Sequence, residues 1–314
     1  MSAQTPHAPH APQVPQVPQV PPARASRALV AGVPMLWLSV FFLIPLVIVL
    51  KISLSEARLA MPPYTPLVEW VRGQGASLHA HLDNYRLLFS DPLYADSLLY
   101  SLRVAAGSTV CCLLLGYPMA LAIARAVPER RHLLLMAIIL PFWTSFLLRV
   151  YAWIGLLQDD GVINHVLLAL HLTHRPLRMV NTTFAVYLGI VYSYLPFMVL
   201  PLYANLEKHD AALLEAAADL GARPWQRFRR ITLPLSVPGI IAGVLLVFIP
   251  AVGEFVIPSL LGPASQLMIG RVISTEFFEN RDWPVASALA LLLLALLLAP
   301  ILILQRYRGR ELSA

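Results

Sequence analysis

Glu254 is a carboxylate set inside an apolar run, PAVGEFVIP from Pro250 to Pro258. A charge in such surroundings costs several kcal/mol unless it is paired, hydrated or put to use. An ammonium group supplies both an opposite charge and charge-assisted hydrogen bonds. Glu254 is therefore a candidate contact for a cation bearing an ammonium group. Two other readings stay open from the residues alone: a structural pair with Arg149, and a protonated glutamic acid. Arg149 lies in PFWTSFLLRVYAW, Pro141–Trp153. Its sign repels a cation, so its expected task is structural, fixing a carboxylate or the carbonyls at a helix end. Aromatic faces attract ammonium groups through the ring quadrupole. Trp143, Tyr151, Tyr192 and Tyr194 are further candidates on that ground, with packing or anchoring as the ordinary alternative for each. Asp159 and Asp160 either draw cations toward the end of their run or cap a turn.

Other chemistry is thinly represented. The nine histidines form no HExxH pattern, and His171 and His174 have no nearby acid, so no metal is expected. Cys111 and Cys112 are adjacent, point in different directions on a helix, and belong to no CxxC spacing. There is no GxxxxGK[ST] phosphate loop, so this chain is not expected to hydrolyse ATP. No catalytic residue is assigned, and an enzyme is not expected.

The elements that must hold these groups are read from composition. Of 314 residues, 58% are hydrophobic and 13% charged, against about a quarter charged in soluble domains. The apolar residues fall in long blocks, and at ~1.5 Å rise roughly 20 such positions cross a bilayer as helix. Lipid leaves no partner for an open sheet edge. Six spans are expected at about 29–50, 98–124, 132–157, 183–206, 237–261 and 284–305, in an all-α membrane protein. Pro45, Pro118, Pro141, Pro196, Pro201, Pro250 and Pro258 fall in or near span interiors, where each bends its helix. With alternate loops assigned to alternate sides, thirteen Lys and Arg face eight, which places both termini in the cytoplasm. The net charge of +6 forms no stripe beyond that asymmetry, so no nucleic-acid partner is expected.

Residues 1–28 carry Pro6, Pro9, Pro12, Pro15, Pro18 and Pro21 at every third position, the pattern of an extended, disordered tail. The expected domains are this tail, a membrane domain over 29–306, and a cytoplasmic tail over 307–314. The outer loop 51–97 includes HLDNYRLLF, His81–Phe89, which suits either an outer docking segment or a solvated connector.

Residues 207–236 form a cytoplasmic elbow with explicit helix punctuation. Asp210 is an N-cap, Ala211–Leu220 uses strong helix formers, and Gly221 ends the turn in a left-handed conformation. Pro224 opens a second short helix with Trp225, Phe228 and Ile231 on one face, and Pro234 is expected to stop it. Small side chains at Ala216, Ala217 and Ala218 let another protein approach the backbone closely. An interfacial hairpin without a partner fits the same pattern.

Glu215-Ala216-Ala217, Gly221 after three more residues, and Ile231-Thr232-Leu233-Pro234 after nine more fill every fixed position of the EAA-x3-G-x9-I-x-LP signature. This resembles the permeases of bacterial ATP-binding-cassette importers with MetI-like architecture. Pro141–Trp153, YSYLPFMVLPLY (Tyr192–Tyr203), FIPAVGEFVIPSLLG (Phe248–Gly262) and EFFENRDWPVASA (Glu276–Ala288) look like the polyamine branch, in particular the first permease subunit of putrescine importers. The resemblance covers roughly residues 30–305 and leaves the Pro-rich tail outside. It implies a multi-pass protein of the bacterial inner membrane that passes putrescine inward, with spermidine or another organic cation as the alternative. A secondary transporter or membrane enzyme is the distant alternative. Glu215, Ala216, Ala217, Gly221, Ile231, Leu233 and Pro234 would form the coupling surface for a cytoplasmic ATP-binding homodimer, which would hold the ATP and Mg; this chain itself binds no cofactor. The other implied partners are a second permease subunit, an extracytoplasmic binding protein and membrane lipid.

Overall fold

The computed structural model describes residues 24–71, 75–78 and 80–311, so most of the expected Pro-rich tail lies outside the described residues. The chain divides into two compact units, Met1–Ile48 and Val49–Ala314. The first holds α1 (Arg24–Leu38), a π-helical segment Ser39–Leu43 and the start of α2 (Ile44–Ser53). The wide π turn falls just before Pro45, which has no amide to give to the turn behind it.

In the second unit a small antiparallel hairpin, β1 (Val68–Val71) and β2 (Gly75–Leu78), pairs Val68 with Leu78 and Val71 with Gly75. It is a local addition to a helical protein. Helix α3 (Asp83–Ser90) is tied to the end of α2. Asn84 Nδ2 donates to Ser53 O and Ser55 O at 2.9 and 2.8 Å, and Ser53 Oγ meets Tyr85 Oη at 2.9 Å. The residues read as a docking segment or connector are thus a fixed helix.

The centre of the bundle is α4 (Pro92–Ala124), α8 (Thr183–Leu206) and α12 (Val237–Val252). Asp91 caps α4 by accepting from Leu93 N at 2.9 Å, which starts the helix six residues ahead of the expected span. Ser101, Ala105, Ser108, Cys112, Gly116 and Ala120 make a buried stripe of small residues along it, the arrangement that lets membrane helices approach closely. Cys111 is exposed and Cys112 buried, on different faces.

The third expected span is not one helix. It comprises α5 (Pro128–Ile139), a 3-10 turn Leu140–Trp143 and α6 (Phe146–Leu157), followed by α7 (Val162–Ala169), with a bend of 91° between its two arms. Pro141 lacks an amide, Thr144 is extended, and Thr144 Oγ1 bonds Pro141 O at 2.7 Å. Helix α8 (Thr183–Leu206) is capped by Thr182 and stays continuous through Pro196 and Pro201.

The elbow follows as α9 (Ala211–Asp219), α10 (Pro224–Arg227), a π-helical segment Phe228–Thr232 and α11 (Leu233–Leu235). Pro234 does not stop it. The wider turn ahead of Pro234 absorbs the missing amide, and the chain bends by 62° only at Ser236, where α12 (Val237–Val252) begins. Gly239 and Gly243 bring α12 against α8. A Cβ added at either would stand 2.7 Å from Asn205 Cβ or Met198 Sδ.

The fifth span also differs from expectation. It ends at Val252 and resumes as α13 (Val256–Leu261) after a non-helical break. Helix α14 (Ile269–Phe278) and α15 (Trp283–Glu311) complete the chain, and α15 runs through most of the expected C-terminal tail. Among the described residues three helices are long and apolar enough to cross a membrane singly: Ala31–Ser53, Pro92–Ala124 and Thr183–Leu206. Each bent pair adds one more, and α15 contributes the apolar stretch Trp283–Ala299.

Candidate translocation cleft and coupling elbow

The break in the fifth span is built around Glu254. Its Oε1 accepts from Val256 N at 3.0 Å and Ile257 N at 3.3 Å, the free amides of the first turn of α13. Its Oε2 accepts from Tyr194 Oη on α8 at 2.5 Å. The residue is only 8% exposed. One carboxylate therefore restarts a helix and reaches across to its neighbour.

Glu254 and Tyr194 line a cleft of about 470 Å³ with Phe142, Phe146, Arg149, Ser193 and Phe197. That is the size range of small-molecule sites, about 300–1,000 Å³. Phe142 and Phe197 meet edge to face at 5.3 Å, and Tyr194 lies 6.1 Å from Phe197. The Arg149 guanidinium sits 4.8 Å from the Phe142 ring centre and 5.9 Å from that of Phe146. It donates from Nη1 to Pro141 O at 3.0 Å, at the end of the 3-10 turn. Among the described residues Arg131 and Glu207 form an ion pair and His81 Nδ1 lies 3.1 Å from Glu56 Oε1; Arg149 and Glu254 share the cleft without pairing.

The other candidates are placed elsewhere. Trp143 is 74% and Tyr151 57% exposed, and neither lines the cleft. Tyr192 packs its ring on Trp153 at 5.3 Å. Sequence reasoning missed Phe142, Phe146, Ser193 and Phe197. The four-residue spacing of Ser193 and Phe197 was a signal that they share a face of α8, whereas Phe142 and Phe146 stand on either side of the break at Thr144, and uniform apolarity around all four concealed which side is inside.

Helix α14 starts hard against the break. A Cβ on Gly270 would lie 2.3 Å from Gly253 O and 2.8 Å from Glu254 O, both backbone atoms that cannot swing away. Gly270→Ala should cost about 1–3 kcal/mol through overpacking. It should lower both the thermal midpoint of the purified protein and transport. Gly155→Ala, with nothing within 4 Å, should leave the midpoint unchanged.

The elbow is closed by explicit caps. Asp210 Oδ1 accepts from Ala212 N at 2.9 Å. Gly221 has φ +80°, its amide donates to Ala218 O at 2.8 Å, and Ala222 N donates to Ala217 O at 2.9 Å. These two bonds are the Schellman pattern, which needs a left-handed residue at that point. Arg223 N donates to Gln226 Oε1 at 2.9 Å and starts α10. Glu215, Ala216, Gly221 and Pro234 are exposed, Ala217 is half-buried, and Leu220 and Trp225 stand out at 88% and 67% exposure. Ile231 is half-buried and Leu233 packs against the core around Tyr117 and Leu202, so this end of the motif anchors the elbow to the bundle.

This arrangement of bent spans, an acidic break and a capped elbow is that of a transport protein, and residues 24–312 match the family model described as binding-protein-dependent transport system inner membrane component, the family to which this chain belongs. It is 42% identical over 279 residues to the spermidine/putrescine transport system permease protein PotB of Haemophilus influenzae, covering 88% of this chain and 91% of that one. To the protein of that name in Escherichia coli K12 it is 49% identical over 212 residues, covering 68% and 77%. Among solved structures it superposes with a bacterial ABC transporter involved in import of the acidic polysaccharide alginate. The TM-score there is 0.65 at 18% identity, with 91% of this chain and 96% of that chain covered, a likeness of fold.

Proposed function

We propose that this chain is the membrane-spanning subunit of an ATP-driven importer that carries polyamines, putrescine foremost, into the cytoplasm. The observation that carries the reading is the buried Glu254 carboxylate in an aromatic cleft at a broken span. Charge pairing to the carboxylate and cation–π contact with the rings suit an ammonium group at one place. The names of the relatives support the same cargo class and support spermidine as the second cargo. The EAA elbow docks a cytoplasmic ATP-binding homodimer, which holds the ATP and Mg and performs the hydrolysis. A second permease subunit completes the passage, and an extracytoplasmic binding protein delivers cargo. Both termini lie in the cytoplasm, where the Lys- and Arg-rich side of the chain is placed. ATP binding favours one facing of the bundle over the other, and that differential affinity drives the cycle.

Uptake of radiolabelled putrescine into cells expressing the whole system tests this. Unlabelled putrescine should abolish the signal, spermidine should reduce it, and removal of the ATP-binding subunit should eliminate it. Equal uptake with and without this chain would refute the reading.

A further inference from the structure

We propose that Tyr117 is a positioning residue that ties the elbow to α4, so that movement of the elbow is delivered to two core helices at once. The inference rests on the elbow being the ATPase-docking element. It starts at the bend. Ser236 is fully buried at the 62° junction of α11 and α12. Its amide donates to Thr232 O at 3.0 Å and Leu233 O at 3.2 Å, and its Oγ donates to Thr232 O at 2.5 Å. A serine hydroxyl has one proton and two acceptor sites. Ser236 Oγ also lies 2.7 Å from Tyr117 Oη, a hydrogen bond in which either hydroxyl can donate. Side-chain hydroxyls thus link α4 through the bend to the π segment of the elbow.

A second contact path ends on the same ring. Phe228, in that π segment, meets Tyr117 edge to face at 5.8 Å. Phe228 in turn stacks on Trp225 at 5.4 Å and 25°. Trp225 is 67% exposed on α10, whereas Tyr117 is 8% exposed. An aromatic ladder therefore leads from the outer surface of the elbow to the core, and a hydrogen bond closes it at the bend. If the elbow were joined to the bundle only through the chain leading into α12, a push on it could be absorbed at Ser236. The Tyr117 contacts remove that freedom, because rotating about the bend drags α4 as well.

The test uses the complete complex in proteoliposomes: both permease subunits, the ATP-binding subunits and the binding protein, with radiolabelled putrescine and a parallel run with spermidine. The readout is ATP hydrolysed per polyamine accumulated. Tyr117→Phe keeps the ring and loses the hydroxyl. It should raise that ratio about three- to tenfold, the range supplied by one buried hydrogen bond. The complex should still assemble, with a thermal midpoint lowered only slightly, as the loss of one hydrogen bond predicts. Ser236→Ala should raise the ratio at least as much, since it also loses the bond to Thr232 O, and adding Tyr117→Phe to it should change nothing further, because the shared contact is already gone. Tyr100→Phe, which removes an α4 hydroxyl bonded to Thr183 instead, should leave the ratio unchanged. A normal ratio in Tyr117→Phe, or a lowered midpoint with a normal ratio, would overturn the proposal while leaving ATP-driven import standing. Wild-type accumulation independent of ATP would take down both.

Discussion

Glu254→Gln cuts polyamine uptake by tenfold or more while the permease still folds and assembles. The substitution conserves shape. The amide oxygen can keep accepting from Val256 N and Ile257 N, and the amide nitrogen can donate to Tyr194 Oη once that hydroxyl turns to accept. What disappears is the negative charge. Hydrogen bonds to charged groups contribute about 1.5–3 kcal/mol, which corresponds to roughly ten- to 150-fold in uptake at limiting cargo. Tyr194→Phe should have a smaller effect, since it removes one donor to the carboxylate and keeps both the charge and the ring. Initial rates of labelled putrescine uptake, normalised to complex in the membrane, measure both. Unchanged uptake by Glu254→Gln would reduce Glu254 to a helix cap for α13.

Gly221→Val should abolish uptake by a different route and leave the cleft intact. A Cβ at Gly221 meets nothing within 4 Å, so crowding is not the cause. The cause is backbone conformation. At φ +80° an ordinary L residue costs about 1–2 kcal/mol, and a β-branched one fares worse. Valine should therefore move the chain out of the left-handed region, break the bonds from Gly221 N and Ala222 N to the end of α9, and reorient α9 relative to α10. The ATP-binding subunit should no longer copurify. Asparagine tolerates the left-handed region better than most residues, so Gly221→Asn should retain most uptake and Gly221→Ala should fall between. Equal loss in all three would point to the glycine surface itself and away from the cap.

The elbow was legible because its signals are local. Asp210, Gly221 and Pro224 each act on amides or carbonyls within a few residues, and each occupies the role its chemistry dictates. The breaks were not legible for the opposite reason. Pro118, Pro196 and Pro201 sit inside continuous helices, whereas Pro141 and Pro250 lie beside true interruptions. Proline alone does not distinguish them. At Gly253 the interruption is held by the close approach of Gly270 and by the carboxylate capping its own next helix, both consequences of tertiary packing. The cleft was half legible. Glu254 stood out as an acid in an apolar run, but rings such as Phe142 and Phe197 have no polar neighbours to mark the inward face.

A photoreactive amino acid at exposed Ala216 probes the docking of the elbow without interference from the native thiol of Cys111. Irradiated in membranes containing the assembled system, it should crosslink to the ATP-binding subunit, with a yield that changes between ATP-bound and nucleotide-free states. Absence of that crosslink in membranes that still import polyamine would show that nothing outside the bilayer grips this chain where the signature lies.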